Sequence, residues 1–111
     1  SMSVLTFKKG DLEPTFIATL YKEDGVTPID LTSASSVKFI AVPVGGGTTI
    51  NRAMSFVSRA AGTVSWAPTA GDTGTVGAYN FEIQVTWSTG RWQTIPNDSF
   101  GSMVIVQDIA D

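Results

Sequence analysis

The segment Ala78 to Trp87 alternates without a break. Tyr79, Phe81, Ile83, Val85 and Trp87 fall on one side of an extended chain, and Ala78, Asn80, Glu82, Gln84 and Thr86 on the other. Strand side chains point to opposite faces with a period of two, so this pattern specifies a long β-strand with one apolar face. Wound as a helix, the same residues would scatter over the whole circumference. Such a strand needs neighbours to complete its backbone hydrogen bonds and a second layer to cover its apolar face.

Those neighbours are legible along the chain. Thr15 to Lys22 is β-prone and is closed by the tight-turn pair Asp24-Gly25. Val37 to Val42 is rich in branched and aromatic residues. Pro43 has no N–H and predicts that the chain leaves the ladder there or sits at an edge. Gly45-Gly46-Gly47 follows as a flexible loop. Met54 to Ser58 and Thr63 to Trp66 predict a hairpin across Ala60-Ala61-Gly62, and Phe100 to Val106 predicts a last strand. Thr89-Gly90 reads as a two-residue turn that sets Trp87 opposite Trp92 and Val85 opposite Thr94, keeping both indoles on the core face. A three-residue turn would slip this register and turn Trp92 to the polar face. Short helical turns are expected at Thr32 to Ser36 and just after Pro68, a favoured first helical position. Short strands separated by turn residues are the spacing of an all-β sandwich or barrel.

The chain has 111 residues, which suits one domain. Ser1-Met2 reads as a cloning remnant, leaving residues 3–111 as a single domain. Hydrophobic residues make up 42% and charged residues only 15%, which is a globular balance. The net charge is −3; Lys8-Lys9 is the one adjacent basic pair, and Arg52, Arg59 and Arg91 stand singly. A nucleic-acid binder needs a basic stripe, so no nucleic-acid partner is expected. Without Cys or His, disulfides, thiolate sites, the commonest general base and the commonest metal ligand are excluded. No apolar run approaches the roughly 18 residues that span a bilayer, and no stretch reads as a signal peptide, so membrane insertion is not expected.

Candidate sites are few. Glycoside hydrolysis needs two carboxylates across a cleft. Asp11 with Glu13, Glu23 with Asp24, and Asp98 are the candidates, but the first two pairs lie in turn-like sequence. Ser and Thr nucleophiles lack a His to activate them, and Asp11 to Glu13 is too thin for calcium. No enzyme activity, cofactor or metal is therefore expected. Trp66, Trp87 and Trp92 fit a sandwich core, where aromatics dominate burial. As an alternative they form a sugar-stacking platform, with Trp92 the candidate because its burial depends on the turn register. In Gly77-Ala78-Tyr79 the glycine permits a tight entry, and the tyrosine hydroxyl can bond back to upstream backbone. Asp72 and Thr73 suit hydrogen bonds that shape a loop. The loop Pro43, Val44, Gly45, Gly46, Gly47 and Thr48 is the candidate contact region for a partner, because its proline-marked strand end suits an exposed edge.

Several segments together resemble the N-terminal domain of phage baseplate upper proteins. Gly10-Asp11 to Leu20, then Asp24-Gly25-Val26-Thr27-Pro28-Ile29-Asp30-Leu31-Thr32, is similar to that domain's start. Trp66-Ala67-Pro68, Gly71-Asp72-Thr73 and Gly77-Ala78-Tyr79 resemble its middle signature, and Gly90-Arg91-Trp92-Gln93-Thr94-Ile95-Pro96-Asn97-Asp98 its closing one. The resemblance covers nearly the whole chain in order. It implies an antiparallel immunoglobulin-like β-sandwich, of about seven or eight strands, in a bacteriophage or prophage tail or baseplate. The implied role is structural: virion assembly and support of receptor-binding proteins, with other tail proteins as partners and at most weak self-association. Assembly would take place in the host bacterial cytoplasm. The alternatives are a carbohydrate-binding or adhesion module using an exposed Trp, and an immunoglobulin-like domain of a bacterial surface protein.

Overall fold

The structure is a computed structural model that describes residues 3–95 and 100–107. Ser1-Met2 and the stretch Pro96-Asn97-Asp98, with its candidate carboxylate, lie outside the described residues. Nine strands and no helix occur among those described: β1 (Ser3–Lys8), β2 (Phe16–Thr19), β3 (Ala34–Pro43), β4 (Ile50–Ala53), β5 (Ser55–Ser58), β6 (Thr63–Trp66), β7 (Gly77–Trp87), β8 (Trp92–Ile95) and β9 (Phe100–Val106). They form a six-stranded sheet in the order β1-β9-β7-β3-β4, with β8 also on β7, and a three-stranded sheet β2-β6-β5. The chain is all-β and sandwich-like.

β7 organises the larger sheet. It pairs antiparallel with β3 along its length, from Tyr79 beside Pro43 to Val85 beside Val37. Its other edge is shared, with β9 covering Gly77 to Asn80 and β8 covering Ile83 to Thr86. The expected face is turned inward: Tyr79, Ile83 and Val85 are buried, and Phe81 and Trp87 are half-buried. An aromatic cluster joins the sheets. Phe39 of β3 stacks on Trp66 of β6 with ring centres 4.2 Å apart, and Phe7 of β1 meets the same indole edge-on at 5.7 Å. Phe16 of β2 packs edge-on against both Phe39 and Phe81. Such pairs add about 0.5–1.5 kcal/mol beyond the area they bury.

The expected hairpin of β5 and β6 is present, with Phe56 opposite Val64. Its Gly62 has φ +71°, and a Cβ there would lie 2.5 Å from the carbonyl oxygen of Ile29. The close approach of backbone to backbone requires glycine.

Three expectations are corrected. The larger sheet is mixed rather than antiparallel, because β1 runs parallel to β9, with Leu5 beside Met103 and Phe7 beside Ile105. A parallel pair needs a long connection, and here nearly the whole domain supplies it. Thr32 to Ser36 is not a helical turn. The Asp30 carboxylate accepts from the backbone N–H and hydroxyl of Thr32, and the chain enters β3 at Ala34, where pairing to β7 overrides the local preference. The third correction concerns the turn after β7. Gly90 N–H donates to the carbonyl of Trp87 at 2.9 Å, and Trp87 N–H to the carbonyl of Arg91 at 2.7 Å. The loop is therefore Ser88-Thr89-Gly90, three residues long, with Gly90 at φ +88°. A turn closed by a left-handed glycine is a common three-residue hairpin connection. It sets Trp92 opposite Thr86 and Gln93 opposite Val85. Trp92 is 64% exposed on the outer face, apart from Trp87. The turn expected after Pro68 is present as a single turn, in which Asp72 and Thr73 N–H both donate to the carbonyl of Thr69.

Candidate functional site

The Pro43 to Thr48 loop leaves the end of β3. Val44 N–H donates to Ala78 across the ladder at 2.9 Å, so neighbouring Pro43 aims its nitrogen away from β7. On that side β4 has already ended, at the pair of Ala41 with Ile50. The missing donor of Pro43 thus falls where no partner is required. Gly46 and Gly47 take positive φ in the turn. The loop borders a shallow cleft of about 160 Å³ shared with Thr75, Val76 and Tyr79. Val44 and Val76 are exposed, and no titratable side chain comes from the loop. Its chemistry is that of shape and apolar contact.

The connection from Trp66 to Tyr79 is held by its own side chains. The Tyr79 hydroxyl donates to the carbonyl of Thr75 at 2.8 Å, as the glycine-entered corner predicts; burial raises its pKa. Thr73, fully buried, donates its hydroxyl to the carbonyl of Asp11 at 2.8 Å. The Asp72 carboxylate accepts from Thr69 N–H at 3.0 Å and from Arg52 Nε at 2.8 Å. Asp72 is 1% exposed in its side chain and Arg52 53%. A buried carboxylate with two donors shapes a loop, and the sequence carried no sign that Arg52 would be one of them. Arg59 likewise lies over the Phe56 ring at 3.7 Å and donates to the carbonyl of Ala34 at 2.7 Å.

Of the candidate carboxylates, Glu23 and Asp24 lie in a turn. Asp24 accepts from the N–H groups of Val26 and Thr27, both at 2.8 Å, and from the Thr27 hydroxyl. The Thr27 hydroxyl and these amides lower its pKa to about 2. The Thr32 hydroxyl and N–H lower that of Asp30 as well. Both side chains are ionised turn formers at neutral pH, unsuited to donate a proton. Glu13 accepts from the Thr15 hydroxyl at 3.4 Å. Among the described residues, no group of three His, Cys, Asp or Glu is placed to hold a metal ion, and no helix is long and apolar enough to cross a membrane.

A second concavity was not anticipated. A groove of about 560 Å³ lies between β8 and the turn around Asp24. Tyr21, Ile29, Trp87 and Ile95 supply its apolar and aromatic walls, and Lys22, Glu23, Asp30 and Gln93 its polar groups. The Trp87 indole donates to Gln93 Oε1 at 2.9 Å, fixing both side chains. Tyr21 bridges to Pro28 across the turn, which brings Ile29 alongside. Trp87 and Gln93 meet only through the three-residue register, so sequence parity alone pointed elsewhere.

Compared with known proteins, the chain matches no family model and no curated protein sequence.

Proposed function

We propose that this protein is a non-enzymatic assembly module of a bacteriophage or prophage tail or baseplate, and that its sandwich is immunoglobulin-like. The observation that carries this reading is the ordered set of segments from Gly10 to Asp98 that resembles the baseplate upper protein domain. The side-chain roles just described support it. The middle signature is one self-braced connection, in which Asp72, Thr73 and Tyr79 each hold backbone or a partner strand. A tyrosine bonded back across such a corner is a hallmark of immunoglobulin-type sandwiches. On this reading the protein acts in the virion, its partners are other tail proteins, and the Pro43–Thr48 loop is a contact region. Self-association is weak, and a multi-protein ring is held by many weak contacts at once. The test is capture of the products of adjacent tail genes by the folded protein, with sedimentation over a concentration series. Capture that weakens on replacing residues 44–47 supports the reading; a tight oligomer of this chain alone, with no tail protein captured, overturns it.

The exposure of Trp92 favours a second reading, as a carbohydrate-binding module. Cell-wall glycan binding that quenches indole fluorescence and is lost in Trp92→Ala, without tail-protein capture, would establish it.

A further inference from the structure

The outer edge of β8 pairs with no other strand among the described residues. Trp87 N–H bonds to the carbonyl of Arg91, and hydrogen-bonded pairs recur at every second residue of an antiparallel ladder. The Arg91 carbonyl and the backbone groups of Gln93 and Ile95 therefore turn toward β7, while Trp92 and Thr94 turn theirs away. Among the described residues, β8 pairs with β7 alone. Among the described residues, nothing accepts from the N–H groups of Trp92 and Thr94 or donates to their carbonyls. Two donor–acceptor pairs thus stand about 7 Å apart, the two-residue repeat of a strand.

Protected edges usually carry a charge, a proline or a covering element. The four residues of β8 are uncharged. Beside them runs the groove walled by Tyr21, Ile29, Trp87 and Ile95, wide enough for an apolar side chain. Glu23 and Asp30 outnumber Lys22 at its rim, and Asp30 is held ionised by Thr32.

The geometry points to strand addition: an extended segment of a partner protein pairs with the outward groups of Trp92 and Thr94, seats an apolar side chain in the groove and sets a Lys or Arg near Glu23 and Asp30. A helix satisfies its own backbone and cannot use this edge, and a sugar ring does not match the repeat along it. That the segment belongs to a tail protein rests on the assembly role proposed above; the open edge and the groove do not.

The probe is an acetylated, amidated hexapeptide of alternating Val and Thr ending in Lys, titrated into the isotopically labelled protein and followed by NMR. The expected result is saturable shifts at the Trp92 and Thr94 amides and the Trp87 indole. Hydrogen exchange at Trp92 and Thr94 should slow by about tenfold or more, since opening must then break a ladder bond. The same peptide N-methylated at alternate amides should bind at least about tenfold more weakly, the loss expected when a buried bond is removed. Thr94→Pro removes one outward donor while sparing the β7–β8 bonds, and should weaken binding similarly with the Gln93 and Ile95 amides still protected. The methylated peptide tests the same contact without altering the protein. Absence of shifts at millimolar peptide, equal binding of the methylated peptide, the same shifts produced by protein concentration alone, or groove shifts produced only by an oligosaccharide would each overturn strand addition. Peptide binding without capture of any tail protein would overturn the tail role and leave the strand site standing. Tail-protein capture that is undiminished in Thr94→Pro, with no peptide shifts, would do the reverse.

Discussion

Trp66 and Trp92 each sit in a four-residue strand paired antiparallel to its neighbour, yet one is 4% exposed and the other 64%. β6 lies between β2 and β5 and faces the larger sheet, so Trp66 is stacked on Phe39 and capped by Phe7. Among the described residues β8 is paired on one side only, and its register follows from the loop before it. One more residue in that loop exchanges the two faces of the strand. Burial of an aromatic in a short strand is thus decided by the layer above it and by the parity of the adjoining turn, not by hydrophobicity.

The sharpest break in this comparison is Trp66→Ala. Removing a large buried aromatic typically costs about 3–5 kcal/mol, which for a domain of this size lowers Tm by more than about 10 °C in a thermal melt. Gly62→Ala acts on the hairpin that carries β6. It forces a Cβ into the Ile29 carbonyl at a positive φ, and should cost about 2 kcal/mol by denaturant titration. Tyr79→Phe removes only the bond to Thr75, and a loss of about 1 kcal/mol with unchanged secondary structure is expected. Trp92→Ala should fall within about 0.5 kcal/mol of wild type, as for an exposed surface residue. A loss as large as that of Trp66→Ala would mean that the two-residue turn is correct and the comparison void.

The smallest effect concerns the turn beside the groove. Asp24 has its pKa lowered to about 2 from 3.8. A depressed carboxylate pKa contributes stability that is present above the unfolded value and is lost as pH falls through the folded one. The contribution therefore fades between about pH 3.8 and 2, and it is small because Asp24 is fully exposed. Carboxyl NMR titration should place the midpoint near 2, and Thr27→Val should move it back toward 3.8. An unshifted midpoint in the intact protein would show that the Thr27 contacts do not form.

The inward face of β7, the β5–β6 hairpin, the middle of β3 from Val37 to Val42, the extent of β9 and the bracing by Asp72, Thr73 and Tyr79 were legible in residue order, whereas the start of β3 at Ala34 was not. Period-two alternation and turn chemistry are local properties, and a strand of eleven residues repeats its pattern too often to be misread. The partners of those residues were less legible. That Arg52 meets Asp72, that Arg59 covers Phe56, and that β1 runs parallel to β9 depend on chain segments far apart in sequence. The groove is the extreme case: Tyr21, Ile29, Trp87 and Ile95 come from three separate segments, and no spacing announces them. Residue order establishes an all-β chain and which face of its longest strand is apolar, because alternation along a strand fixes sidedness wherever the strand lies. The exposure of Trp92, the unpaired edge of β8 and the groove beside it are properties of the assembled fold. Those follow from one residue of turn length and from which strands lack a second neighbour, and neither is encoded in the polarity of the residues concerned.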